Sequence, residues 1–442
     1  MNGTPVSREI VESVLSRLEI SSVMRSSIRE VVKLVNNLER ETGLRFIRME
    51  MGVPGLKAPQ IGIEAEKKAL DSGLASVYPN IEGLRELKDE TSRFLKLFLD
   101  IDISPQGCVP TIGSMMGGIA SFLVVNRNDA TREGTLFIDP GFPVQKQQVR
   151  ILGQEFRSFD VYNYRGEKLR DKLESYLETG KVSSILYSNP NNPSWICFTE
   201  EELQIIGTLA KKYDVVVIED LAYFGMDFRQ DYSQPGVPPY QPSVAKYCDD
   251  YIMLISSSKA FSYAGQRIGM LVMSDHLYNR RYPDLLRYYN SDRFGHSMIF
   301  GALYALSAGV PQSVQAALTA LFRAINNREY NYREDVLEYG RKAVIMKKLF
   351  TDNGFTIVYD TDIDTPVADG FYFTVSYPGM DGETLLRELL CYGISAISLA
   401  ITGSDRTEGI RACVSMVPRD LFDDLEKRLR QFESDHPVSN RN

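Results

Sequence analysis

The chain of 442 residues sets 50 Lys and Arg against 58 Asp and Glu, for a formal net charge of −8, and is 43% apolar and 24% charged. That is enough chain for a large domain with a smaller one beside it, and the composition excludes disordered, collagen-like and coiled-coil proteins. The acidic balance disfavours nucleic acid as a partner; no apolar run approaches the roughly 18 residues of a membrane helix, and the first twenty residues lack a signal peptide's apolar region, so a cytoplasmic protein without a membrane partner is expected.

Residues 7–40 place Ile10, Val14 and Leu18, then Ile28, Val31, Val32, Leu34 and Val35, at helical spacing. They read as two amphipathic helices, an N-terminal arm over 1–50 belonging to a small domain. From about 50 to 310 the short apolar runs GTLFIDP, KVSSILYSNP, YDVVVIED and DYIMLISSS alternate with helical stretches. Such runs argue for a mainly parallel sheet buried on both faces, assigned here to a large domain over 51–315. Residues 333–350 form a long helix. After it, FTIVYD, GFYFTVSY and GIRACVSM are strands and ETLLRELLCYG and RDLFDDLEKRLRQFE are helices, which assigns 316–442 to the C-terminal part of the small α+β domain. The tail PVSNRN beyond His436 is polar and frayed. The fold class is α/β, a helix-sandwiched, mainly parallel sheet plus a smaller α+β domain.

Five scattered cysteines (Cys108, Cys197, Cys248, Cys391, Cys413) include no C-x-x-C pair, and three histidines (His276, His296, His436) form no H-E-x-x-H. Neither a disulfide framework nor a metal site is signalled, and imidazole has little part to play.

In an α/β sheet, ligands collect beyond the carboxyl ends of strands. Four such ends carry unusual residues: Asn189-Pro190-Asn191-Asn192-Pro193-Ser194-Trp195, Glu219-Asp220-Leu221-Ala222-Tyr223, Ser256-Ser257-Ser258-Lys259, and Thr111-Ile112-Gly113-Ser114 at a helix start. Singly each has a plain reading, as a turn, a helix cap or a solvated loop. Their ordered spacing is more specific: 28 positions from Asn192 to Asp220, 3 from Asp220 to Tyr223, 3 from Ser256 to Lys259 and 8 from Lys259 to Arg267. With Met51-Gly52-Val53-Pro54, Tyr78 ahead of Gly83-Leu84-Arg85, and Gly409-Ile410-Arg411, this register resembles the aspartate aminotransferase-like, fold type I enzymes that use pyridoxal 5′-phosphate, over roughly residues 45–430.

The resemblance implies a seven-stranded-type sheet and a set of roles. Lys259 is the Schiff-base lysine and proton carrier. Asp220 faces the pyridine nitrogen and keeps it protonated, and Asn192 and Tyr223 donate to the phenolic oxygen. Gly113, Ser114 and Met115 at a helix N-terminus, with Ser256 and Arg267, hold the phosphate. Phe142 stacks on the ring, although a Phe after a strand is more often plain core. Arg411, with Gly52 and Asn192, grips the substrate α-carboxylate. Tyr78 reaches the phosphate of a neighbouring subunit, which implies a homodimer with shared sites.

The implied reaction is a ping-pong transfer of an amino group between an L-amino acid and a 2-oxo acid. A carbon–sulfur lyase or decarboxylase of the same fold stays open. A non-catalytic ligand-sensing protein is disfavoured, because only 51 residues precede Gly52, too few for a winged helix. Two features depart from the family's pattern. Ser194-Trp195 stands where Thr-Gly is usual, so the turn's backbone is expected to differ, with the sole tryptophan either beside the cofactor or filling the core under the sheet. The 56 positions from Lys259 to Gln315 exceed the usual interval; the surplus at 281–310 is either a helix pair at the site's mouth or a surface elaboration.

Overall fold

The strands of this computed structural model, which describes residues 3–437, are, in chain order, β1 (Ile47–Arg48), β2 (Cys108–Thr111), β3 (Gly134–Asp139), β4 (Glu155–Asp160), β5 (Val182–Ser188), β6 (Val216–Leu221), β7 (Tyr251–Ser256), β8 (Gly269–Met273), β9 (Thr356–Ile357), β10 (Thr361–Asp362), β11 (Thr365–Pro366), β12 (Tyr372–Ser376), β13 (Ile394–Ser395), β14 (Ile397–Ser398) and β15 (Ile410–Cys413). The polar tail expected to fray, from Val438 onward, lies outside the described residues.

Seven strands make one sheet in the order β2-β8-β7-β6-β5-β3-β4. The four apolar runs of the sequence are its centre, β3, β5, β6 and β7, fully buried and parallel. The helix Glu200–Lys212, opened by a Thr199 capping box, connects β5 to β6, and the helix Gly113–Val125 leads from β2 into β3. β8 runs antiparallel to both β7 and β2. The edge strand β4 mixes charged and apolar residues, which hides it from an apolar-run reading.

The second sheet has the order β14-β15-β12-β9, all antiparallel. The N-terminal segment pairs in parallel with the strand just before β14, β1 with β13, as a separate two-stranded sheet. The two N-terminal helices, Arg8–Arg17 and Ile28–Thr42, bury Val14, Leu15, Leu34 and Val35 in the same core, and Glu383 accepts the backbone N–H groups of Val23 and Met24. The helix Gln312–Asn326 runs across the expected boundary at 315 and lies against the helices Gln60–Asp71 and Arg85–Leu99.

The surplus segment forms two helical stretches, 283–289 and 294–307, the second built around the π-helix Ser297–Leu303. Its Tyr282, Leu285, Phe294, Met298 and Leu303 share a second core with Val109, Phe122 and Leu271, and the Tyr289 hydroxyl donates to the Leu123 carbonyl at 2.7 Å. It is a helix pair, packed against the helix Gly113–Val125.

Candidate active site

The parallel register brings three of the four marked strand ends level: Ser188 opposite Asp220, and Leu221 opposite Ile255, beside Ser256. Ser256 in turn pairs with Gly269, two residues beyond Arg267. A Cβ on Gly269 would sit 3.0 Å from the Ser114 amide nitrogen, and one on Gly113, whose φ is +66°, would sit 2.6 Å from Arg267 Nη2. Glycine at these two positions lets the helix start, the strand and the guanidinium converge. The amides of Ser114 and Met115 lie in the first turn of that helix, the end that favours an anion. Arg267 donates to the Ala264 carbonyl at 2.8 Å and has no carboxylate within ion-pair distance among the described residues.

Asp220 is buried near the end of β6, where it accepts from the Ala222 amide at 3.1 Å and Gln145 Nε2 at 2.7 Å. No cation pairs with it among the described residues. Burial pushes its pKa up to about 6, against the pull of those two neutral donors. Gln145 belongs to the helix Pro143–Ile151, three residues beyond the half-buried Phe142 that precedes that helix; no motif in the sequence marks it.

Lys259 reaches across the seam between the two sheets to donate to the Gly52 carbonyl, and burial lowers its pKa to about 8. A larger share of its amine is therefore neutral near pH 7 than in an exposed lysine. Arg411, on β15, is 1% exposed. It donates through Nη1 to Asn192 Oδ1 at 3.2 Å and through Nη2 to the Glu50 carbonyl at 2.7 Å, while its Nε has no partner. No carboxylate pairs with it among the described residues, so it is a buried cation lacking its anion. With Oδ1 occupied, the Nδ2 group of Asn192 is left as a donor. The Tyr223 and Tyr372 hydroxyls are 2.8 Å apart. Tyr372, like Gln145 and the Glu50 carbonyl, is a participant that sequence reasoning missed.

Trp195 fills the core, as one of its two expected readings has it. It is fully buried, and its ring centroid is 5.2 Å from that of Tyr223 and 6.0 Å from that of Tyr372. Its φ of +64° lies in the region that favours glycine, so the turn keeps a glycine-type bend with an indole mounted on it. Asn191 braces the bend by accepting from the Ser194 hydroxyl at 2.7 Å and the Trp195 amide at 3.0 Å. Gly370 makes room for the indole, since a Cβ there would lie 2.0 Å from its Cε2. Tyr78 stands apart from this cluster, 91% exposed.

Comparison with known proteins gives a consistent result. The family described as aminotransferase class I and II matches residues 47–419. The chain is 24% identical over 348 residues to a "Probable aspartate aminotransferase" of Methanocaldococcus jannaschii, covering 77% of this chain and 83% of that one. It is 28% identical over 263 residues to aromatic-amino-acid aminotransferase 2 of Thermococcus litoralis, covering 58% of this chain and 62%, under two thirds, of that relative. Among solved structures, alanine aminotransferase from Pyrococcus furiosus superposes with a TM-score of 0.74 at 18% identity, covering 95% of this chain and 99% of the other, a likeness of fold.

Proposed function

The chain belongs to the class I and II aminotransferase family, and on that premise we propose which of its residues transfer an amino group between an L-amino acid and a 2-oxo acid. It is an enzyme, an aminotransferase, and the family's cofactor is pyridoxal 5′-phosphate. The donor set suits that cofactor. Asp220 is a buried anion without a cation, as a protonated ring nitrogen requires, and the first turn of the helix Gly113–Val125, beside an Arg267 free of carboxylates, suits a phosphate.

On this reading Gly113, Ser114, Met115, Ser256 and Arg267 hold the phosphate, Asp220 the ring nitrogen, Tyr223 and Asn192 the phenolic oxygen, Phe142 the ring face and Lys259 the carbonyl carbon. When bound, the cofactor supplies an electron sink conjugated with the reacting amino group. Gln145 orients the Asp220 carboxylate. Arg411, with Asn192 and the backbone near Gly52, seats the substrate carboxylate and so aims the α-hydrogen at Lys259. Lys259 Nζ, released from the Gly52 carbonyl, carries the proton away from the α-carbon, a task suited to an amine whose pKa lies near the working pH.

The observation that carries this assignment is Arg411, a guanidinium 1% exposed and without a carboxylate partner among the described residues. A clamp of that kind suits a substrate that keeps its α-carboxylate, and the relatives named above are transaminases, so elimination, decarboxylation and ligand sensing gain no support.

We further propose that 1–50 and 316–442 form the small domain around a large domain of 51–315, supported by the pairing of β1 with β13. A homodimer in which Tyr78 completes the partner's phosphate site is proposed on its 91% exposure, and a cytoplasmic location on five unpaired cysteines. The reaction is tested by adding single amino acids to the purified holoenzyme. The visible band of the bound cofactor should convert to the pyridoxamine form and return with a 2-oxo acid. Release of ammonia or carbon dioxide without that return would rule transamination out.

A further inference from the structure

No motif marks Tyr372, yet several parts of the site meet on it. It opens β12 in the small sheet, whereas Tyr223 follows β6 in the large one, and both side chains are buried with their hydroxyls 2.8 Å apart. Its ring lies under the Arg411 guanidinium, 4.3 Å from Cζ to the ring centroid. A Cβ on Gly52 would lie 1.9 Å from the Tyr372 hydroxyl oxygen, so residue 52 must be glycine for that hydroxyl to occupy its place. The carbonyl of the same glycine accepts from Lys259. The charged and titratable groups facing the tyrosine pair are Arg411 and Cys413 on β15, with Lys259 beyond Gly52.

We propose that Tyr372 is a positioning residue of the transamination site, whose hydroxyl donates to the Tyr223 oxygen and strengthens Tyr223 as a donor to the cofactor's phenolic oxygen, while its ring seats Arg411. The direction follows from proton counting. A tyrosine hydroxyl has one proton. Once Tyr223 commits its own to the phenolic oxygen, the proton between the two tyrosines must come from Tyr372. A hydroxyl that accepts a hydrogen bond becomes a better donor, and an oxygen given a better donor keeps its negative charge to lower pH. The inference rests on the placement of Tyr223 proposed above.

The test follows the visible absorption band of the bound cofactor against pH in the wild-type holoenzyme and in Tyr372→Phe, Tyr223→Phe and the double variant. Tyr372→Phe should raise the titration midpoint by about 0.5–1 pH unit, a three- to tenfold gain in proton affinity, the scale of one net hydrogen bond. Its KM for the amino donor should stay within about twofold of wild type, because the phenyl ring still lies under Arg411. Tyr372→Leu, which removes the ring as well, should raise that KM further. The double variant should titrate like Tyr223→Phe alone, because Tyr372 acts only through the Tyr223 hydroxyl. A wild-type midpoint in Tyr372→Phe, or the same shift with and without the Tyr223 hydroxyl, overturns the relay. No shift from Tyr223→Phe itself overturns the placement of Tyr223, and the inference with it.

Discussion

Asp220→Asn separates what the buried carboxylate costs the protein from what it gives the cofactor. In the folded chain its pKa is pushed from an ordinary 3.8 to about 6 by burial without a cation. At 1.36 kcal/mol per unit, ionised Asp220 costs the apoprotein about 3 kcal/mol. Asparagine is isosteric and neutral; it can still accept from the Ala222 amide, and Gln145 can turn its amide to accept from the new NH2 group. The sign follows from proton uptake. Well below pH 3.8 the carboxyl is protonated in both states and the variant gains nothing, and at pH 4 its gain is still small. Between about pH 4 and about 6 the unfolded chain releases the proton while the folded chain keeps it, so the variant's advantage grows; above that window it is constant. Thermal melts of the two apoproteins should show Asp220→Asn melting higher at pH 7.5 by about 3 °C in a chain of this length, with the gap closing toward pH 4. The holoenzyme should respond the other way, with weaker cofactor retention and a rate loss of about a hundredfold or more, as the charge opposite the ring nitrogen disappears. An apoprotein variant no more stable than wild type at pH 7.5, or a gap that persists unchanged at pH 4, would refute the claim that Asp220 is a buried charge awaiting a cation.

Borohydride reduction of the holoenzyme followed by peptide mapping should find the pyridoxyl group on Lys259, and Lys259→Ala should abolish turnover; a label on another lysine refutes the assignment. Mixed with Tyr78→Phe subunits, Lys259→Ala subunits should form hybrids with one intact site, and no regain of activity after proven subunit exchange would count against shared sites. Arg411→Ala should raise KM for the amino donor by about a hundredfold, the scale of a buried charge-assisted pair, and leave the cofactor spectrum normal; an unchanged KM removes Arg411 from the substrate site. Trp195, 5.2 Å from Tyr223 between ring centroids, should emit weakly in the holoenzyme and recover when the cofactor is removed, and equal emission from folded apo and holo protein would separate the indole from the cofactor.

Much of the site is legible in the sequence because its parts are local. Asp220 and Tyr223, and Ser256 and Lys259, lie at or within a few residues of the end of an apolar run, and a buried strand's carboxyl end is where an α/β sheet keeps its chemistry. The four central strands are legible for the same reason: a strand buried on both faces must be apolar throughout. The partners of those residues are set otherwise. Gln145 meets Asp220 from 75 positions away and Tyr372 meets Tyr223 from 149. The bare Gly370 that admits Trp195 and the Glu50 carbonyl that steadies Arg411 carry no signature of their own. Each depends on which strand ends become neighbours and on how the second sheet docks against them. The chain alone therefore determines the chemical groups and the local turns that present them, while tertiary structure decides which groups touch, because a hydrogen bond or a steric vacancy depends on distances of a few ångströms that folding sets between residues far apart in the chain.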